Sequence, residues 1–335
     1  MAIHNRIKLN RRAQSDNNTG FGTNSDYSGG RFINNKGEPN VIKRGLGIFE
    51  RYSLYHTFLA MPRWKFMLIL LSVYVIINLF FAFLYFMIGM HNLIGSTPGT
   101  PLENYAEAFF FSAQTFTTVG YGRISPSGFL ASSIATIEAF LGLLSFAIAT
   151  GLFYGRFSRP KAFLRYSDIA IIGPYKGVSA LMLRLAPFKN NNLLETEAKV
   201  TLAMKIEENG KLTNKFYALN LELSKVNTVT ASWTIVHPID EKSPLYQLQP
   251  NDYKALYVEI IVFIKAFDNT YSNTVTSIKS YVAEEIVYGA KFKVMYHPSL
   301  NKKTTILYLD RINEIEKAEL PREPAGIAET SNEGT

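Results

Sequence analysis

The chain has 335 residues, room for two or three domains, and no cysteine, which excludes disulfides and thiolate-bound metals. Its formal net charge of +8 fits nucleic acid, anionic lipid or no particular partner, so the placement of the charges must decide. Apolar residues concentrate in the second fifth of the chain, and the flanks read as soluble.

Residues 1–45 are rich in Asn, Ser, Gly and Arg, and bury too little apolar surface to offset ordering entropy. They are expected to form a disordered polar N-terminus, and they hold no apolar core of the kind a secretory signal needs. An amphipathic segment follows at 46–62. Residues 67–90 contain no charged side chain and a single Asn, long enough to cross a hydrocarbon core that needs about 20 helical residues. A second candidate span, 128–157, carries one acidic residue, Glu138, and is followed closely by Arg159 and Lys161. Lys43, Arg44, Arg51, Arg63 and Lys65 precede the first span; Arg156, Arg159, Lys161 and Arg165 mark the end of the second. Between the spans there is only Arg123. This bias places both termini in the cytoplasm and the connecting segment outside.

That connecting segment is too apolar for an exposed loop. Residues 106–114 predict a short helix, with Pro101 and Glu103 near its start, that dips into the membrane and returns through an extended stretch. Non-helical backbone at that depth must be buried by protein or line a watery cavity, which calls for neighbouring subunits. The returning stretch reads Thr117-Thr118-Val119-Gly120-Tyr121-Gly122. Its two glycines permit backbone angles that turn successive carbonyls toward one axis. A ring of such oxygens replaces the water shell of a potassium ion, with the Thr118 hydroxyl as an innermost ring. Val119 and Tyr121 are expected to point away and pack against pore helices. Four copies close each ring, so K+ sites at Thr118, Val119, Gly120 and Tyr121 require a homotetramer. No other cofactor is expected.

Placed after a short helix and between two spans, Thr118 to Gly122 resembles the potassium-channel pore. More narrowly, residues 47–309 are similar to the prokaryotic inward-rectifier (KirBac) family. Tyr55-His56-Thr57-Phe58-Leu59 and Pro62-Arg63-Trp64 resemble its interfacial (slide) helix and outer-helix entry. Residues 151–160, from Gly151 through Tyr154 and Gly155 to Pro160, resemble its inner-helix ending. Ile239-Asp240-Glu241-Lys242-Ser243-Pro244-Leu245 resembles a stretch of its cytoplasmic domain.

The resemblance implies a pore domain at 63–160 made of outer helix, pore helix, filter and inner helix. It also implies an immunoglobulin-like β-sandwich at 161–315 and a flexible tail at 316–335. Gly142 falls where the family has a flexible glycine; close helix packing is the competing reading. From position alone Tyr154 is a gate or an interfacial anchor, and the resemblance makes it the gate, a hydrophobic constriction where inner helices converge. Glu138 either faces the cavity or sits behind the filter as a hydrogen-bonded strut; helical phase leaves both open. Strong rectifiers carry a cavity acid where this chain has Phe146, so strong rectification is not expected. The family's Glu–Arg filter brace is replaced by Gln114 and Ile124, so a different brace is expected, with Glu138 or Glu107 as candidates.

Beyond residue 169 the pattern turns to short alternating runs at 178–185, 198–205, 216–223, 232–236, 255–263 and 291–296, the spacing of a sandwich. Asn209-Gly210 marks a hairpin. Lys265-Ala266-Phe267-Asp268 aligns loosely with a loop that narrows the cytoplasmic pore in relatives; an ordinary polar hairpin is the favoured reading for any single residue. His237 and His297, each followed by Pro, read as turn residues. Arg63, Trp64, Lys65, Arg156, Arg159 and Lys161 converge at the inner membrane surface, where anionic headgroups attract each cation by about 1 kcal/mol. Plain positive-inside anchoring explains them equally well. Nucleic acid is not an expected partner, and no nucleophile–base arrangement or metal spacing points to an enzyme. The sequence is thus read as a tetrameric potassium-selective channel of inward-rectifier type in a bacterial inner membrane. The alternative is a membrane-anchored sensor with a non-conducting pore.

Overall fold

The computed structural model describes residues 10, 15, 31–34, 37–42, 44, 45, 47, 53–189, 192–208 and 211–321. It divides into two compact units, 43–159 and the remainder of the chain. The first is helical. Helix α1 (Leu54–Ala60) is opened by Ser53, whose hydroxyl accepts the His56 N–H. Helices α2 (Arg63–Ile88) and α4 (Gly128–Phe157) are long and apolar enough to cross a membrane. Most of their large side chains are exposed, among them Leu71, Ile76, Phe80, Phe140 and Ile148. Surfaces apolar all round require lipid or neighbouring protein as their solvent. Strands β1 (Leu93–Ile94) and β2 (Ser125–Pro126) clip the connecting segment into a closed loop. Between them, α3 (Pro101–Phe116) starts at a capping box in which the Thr100 hydroxyl accepts the Glu103 N–H and the Glu103 carboxylate accepts that of Thr100. It packs through Ala108 and Phe111 onto Phe81, Ala82 and Tyr85 of α2.

The second unit is a β-sandwich. Its strands are β3 (Leu164–Tyr166), β4 (Ala170–Tyr175), β5 (Val178–Pro187), β6 (Leu193–Glu208), β7 (Lys211–Leu219), β8 (Lys225–Val229) and β9 (Trp233–Pro238). After a short helix α5 (Pro250–Ala255) come β10 (Glu259–Asp268), β11 (Asn273–Val282), β12 (Ile286–Tyr288), β13 (Ala290–Phe292), β14 (Tyr296–Pro298), β15 (Thr305–Leu307) and β16 (Ile315–Lys317). One sheet runs β11-β10-β6-β7 with β8 also on β6; the other runs β12-β4-β5-β3 with β9 also on β5. Between them lies one core in which Leu181, Leu183 and Leu185 of β5 meet Val200 and Leu202 of β6 and Ile260 and Val262 of β10. The opposite face of β5 is covered too, since Ala180 and Met182 pack with Ala290 and Phe292.

Several expectations are corrected. The 255–263 run begins in α5, and the 291–296 run splits between β13 and β14. Within 316–335, Glu316 and Lys317 pair with β13, while 322–335 lie outside the described residues. The Asn209-Gly210 turn also lies outside them, although β6 and β7 pair from Glu208 and Lys211 onward. Most of 1–45 lies outside as well, but Phe32 and Ile33 are buried against Ala203, Phe216 and Ile261. The amphipathic segment is described as helix only at α1, with 46 and 48–52 outside. His237 and His297 are strand residues, not turn residues.

His237 is buried, with Nδ1 2.7 Å from the Asn220 carbonyl oxygen and Nε2 2.8 Å from the Ser243 hydroxyl. The carbonyl takes the only ring N–H, so the neutral imidazole accepts from Ser243, whose oxygen accepts the Leu245 N–H at 3.1 Å. Burial holds its pKa below the ordinary histidine value, against the pull of the Asn220 carbonyl and Asp240. A depressed folded-state pKa means the unfolded chain binds the proton first as pH falls through about 6.5, so acidification destabilises the sandwich. We expect the unfolding temperature to drop between neutral and mildly acidic pH. His237→Asn, which cannot take up that proton, should flatten the dependence in thermal melts followed by tryptophan fluorescence, in a Trp64→Phe background that leaves Trp233 as the reporter.

Candidate functional site

At the end of α3 the chain leaves helical geometry in a set order. Positive φ values of 57°, 53° and 81° fall at Thr118, Gly120 and Gly122, while Val119 and Tyr121 between them stay negative. An alternating sign of φ is the backbone pattern that lets successive peptide groups turn to one side, as a concave array of like backbone atoms requires. Two positions are glycine, where this costs little; Thr118 carries a Cβ and holds the conformation under strain, as residues at working sites often do. The threonine at positive φ was not foreseen from the sequence. The Gln114 carbonyl accepts the Val119 and Gly120 N–H groups at 3.0 and 3.3 Å, anchoring the turn to the helix end. Val119 and Tyr121 remain 53% and 79% exposed. Their expected packing on a pore helix is therefore not made within one chain.

Beneath Thr118 lies a groove of about 440 Å³ lined by Tyr74, Ile77, Phe116, Gly142, Ser145 and Phe146 among others. A Cβ on Gly142 would sit 2.0 Å from the Phe116 carbonyl oxygen. Close packing therefore accounts for this glycine, and α4 runs unbroken through the position expected as a hinge.

Glu138 is fully buried and does not face the groove. Its Oε2 accepts the Tyr85 hydroxyl at 2.7 Å, and its Oε1 contacts the Ser112 hydroxyl. Ser112 in turn lies 3.0 Å from Asn78 Oδ1, and Asn78 donates its amide to the Tyr74 carbonyl at 2.7 Å. One carboxyl group thus ties α4 to α2 and α3. Of the two positions sequence reasoning left open for Glu138, the geometry is that of the strut. A second tie is the ion pair of Arg123 with Glu107 on α3, 2.6 Å long. Ile124 is buried in the apolar cluster, where no brace is possible.

Near the end of α4, Tyr154 is exposed while its neighbour Gly155 faces α1. A Cβ on Gly155 would come within 3.0 Å of the Tyr55 hydroxyl and 3.2 Å of Leu59. The Arg156 guanidinium donates to the carbonyls of Phe58 and, at 2.8 Å, Met61, and stacks 4.6 Å from the centre of the Phe66 ring. It caps the end of α1, where orphan carbonyls need donors. Expected among the lipid-facing cations, Arg156 is instead committed within the chain. Arg63, Trp64, Lys65, Arg159 and Lys161 are exposed. Lys265, Ala266, Phe267 and Asp268 end strand β10, so the turn proper is at 269–272. Asp268 is buried and accepts the Thr270 and Tyr271 N–H groups, the favoured hairpin reading.

Comparisons agree with this architecture. The family model described as "Inward rectifier potassium channel C-terminal domain" matches residues 164–333, and one described as "Ion channel" matches 69–159. Among curated proteins, the chain is 31% identical over 266 residues to the inward rectifier potassium channel Kirbac3.1 of Paramagnetospirillum magnetotacticum, covering 78% of this chain and 88% of that one. It is 24% identical to inward rectifier potassium channel irk-1 of Caenorhabditis elegans and 26% identical to the G protein-activated inward rectifier potassium channel 2 of Mus musculus. The chain spans 52% and 66% of those two proteins, each match covering 78% of this chain. With two membrane-length apolar helices, a shorter helix and turn between them in the chain, and a β-sandwich following in sequence, this chain belongs to the inward rectifier potassium channel family.

Proposed function

We propose that four copies of this chain form a potassium-selective channel in a cell membrane, with both termini cytoplasmic. Carbonyl oxygens of Thr118, Val119, Gly120 and Tyr121, with the Thr118 hydroxyl, coordinate dehydrated potassium ions, and no other cofactor takes part. The observation that carries this reading is the alternation of positive φ at 118, 120 and 122 on a turn anchored to Gln114. Ion selection by backbone carbonyls needs that array and no catalytic step. The exposed Val119 and Tyr121 supply the surface on which a neighbouring subunit packs.

Tyr154 forms the gate, and Gly155 and Arg156 couple α1 to it, since both residues next to the constriction touch that helix. Arg63, Trp64, Lys65, Arg159 and Lys161 face anionic headgroups, which bias the gate through α1 and the span ends. Phe146 offers no carboxylate to trap polyamines, so rectification by that route is weak.

The test is potassium uptake into liposomes holding the purified tetramer, with sodium and barium controls, beside Gly120→Ala. A Cβ at a left-handed position costs about 1–2 kcal/mol per copy and turns the peptide groups away from the array. We expect barium-sensitive, potassium-favouring uptake that the variant loses. A folded tetramer with no uptake in any lipid mixture would replace this reading with that of a membrane-anchored sensor.

A further inference from the structure

The hydrogen bonds around Glu138 form a chain in which the donors can be counted. The Tyr74 carbonyl only accepts, so the Asn78 atom 2.7 Å from it is the amide nitrogen, and Asn78 Oδ1 is the atom facing Ser112. Ser112 has one hydrogen. Given to Asn78 Oδ1, it leaves the serine oxygen presenting lone pairs to Glu138 Oε1; given to Glu138, it leaves two acceptor oxygens 3.0 Å apart. Tyr85 already donates to the other carboxyl oxygen. Asn78, Ser112 and Glu138 are each fully buried, so water does not supply the missing hydrogen.

We propose that Glu138 is a neutral carboxylic acid whose Oε1 proton is donated to Ser112. As such it is a positioning residue that fixes α3, and through α3 the turn at Thr118, between the two spans. The proposal deepens the channel reading above and rests on it for its consequence, though not for the protonation itself. A neutral acid needs no counter-ion, and every group in the chain is then satisfied: Glu138 to Ser112, Ser112 to Asn78, Asn78 to Tyr74, and Tyr85 to Glu138. Among the described residues no Lys or Arg pairs with Glu138, and the Arg123 guanidinium is taken by Glu107.

The experiment combines infrared spectroscopy with the liposome assay. In the wild-type tetramer a carboxylic-acid carbonyl band is expected that disappears in Glu138→Gln and moves to higher frequency in Tyr85→Phe, which removes that carbonyl's hydrogen bond. Glutamine reproduces the neutral acid, its amide donating to Ser112 and its oxygen accepting from Tyr85. Uptake and potassium preference in E138Q should therefore stay within about twofold of wild type. Glu138→Leu, which cannot complete the chain, should lose potassium preference over sodium. A carboxylate band in place of the acid band would overturn the proposal, as would loss of uptake in an assembled E138Q tetramer. If E138Q does not assemble, the Tyr85→Phe shift decides alone, and its absence counts against the proposal. Absence of uptake in the wild type would remove the channel reading and leave the infrared result standing.

Discussion

Gly142→Ala is expected to abolish potassium uptake by the reconstituted protein while leaving unfolding of the β-sandwich unchanged. The added Cβ would lie 2.0, 2.8 and 3.1 Å from the carbonyl oxygen, carbonyl carbon and Cα of Phe116. All three are backbone atoms, so no side chain can swing aside, and α4 or the end of α3 must move. Overpacking of this kind costs about 1–3 kcal/mol, and occasionally more, in each subunit. The displaced residue directly precedes Thr117 and Thr118, so the error is delivered to the turn at 118–122. Gly151→Ala on the same helix is the control. Nothing lies within 4 Å of its added Cβ, and alanine favours the helix over glycine by about 1 kcal/mol. Uptake should survive there. If Gly142→Ala conducts normally, α3 and α4 part at this point in the reconstituted protein, and the hinge reading returns.

That contact also shows where the sequence was readable. Composition marked the spans, because residues 128–157 carry one charge before the terminal Arg156, and α4 occupies that range. The first span starts four residues earlier than its apolar stretch, since Arg63 and Lys65 continue the helix while keeping their charges at its exposed start. Pro101 and Glu103 announced the start of α3, and the structure adds Thr100 as the partner that completes the cap. What the residues could not announce is long-range. Glu138 has its partners 26 and 53 positions away, and which way it turns depends on how three helices pack. Arg156 looked like a membrane anchor because only the fold brings the carbonyls of Phe58 and Met61 within its reach.

In the sandwich, strand positions followed from alternation, yet β5 is buried on both faces, so its run of Ala180 to Leu185 carries little of that signal. The dipeptide His237-Pro238 suggested a turn because proline lacks a donor, but Pro238 ends β9, where the lost N–H is tolerated. The largest miss concerns Phe32 and Ile33. Two apolar residues in an Asn- and Gly-rich stretch give no periodicity, and the face they cover belongs to a sheet more than 160 residues away.

Glu259→Ala is expected to release that segment. Ile261 lies on the outer face of β10, and Phe32 and Ile33 cover it together with Ala203 and Phe216. Glu259, two residues before Ile261 and so on the same face, accepts the Phe32 and Ile33 N–H groups at 2.6 and 3.1 Å. Burial pushes its carboxyl pKa up, and the backbone and Ser280 hydrogen bonds pull it down. Arg31 adds a two-pronged ion pair to Glu285, both contacts 3.0 Å, and donates to the Ser280 hydroxyl at 2.9 Å. Removing the Glu259 carboxylate takes an acceptor from two buried N–H groups, at about 1–3 kcal/mol each. The apolar cover contributes a similar amount, roughly 1.5–3 kcal/mol per large side chain, so the two losses together exceed what a short segment can sustain. In limited proteolysis of the full chain, the variant should be cut within 31–42 much faster than wild type. Glu285→Ala, which leaves the buried acceptors in place, should fall between the two. Equal cutting of Glu259→Ala and wild type would mean that Phe32 and Ile33 hold the segment by apolar contact alone, and Phe32→Ala would then be the variant that frees it.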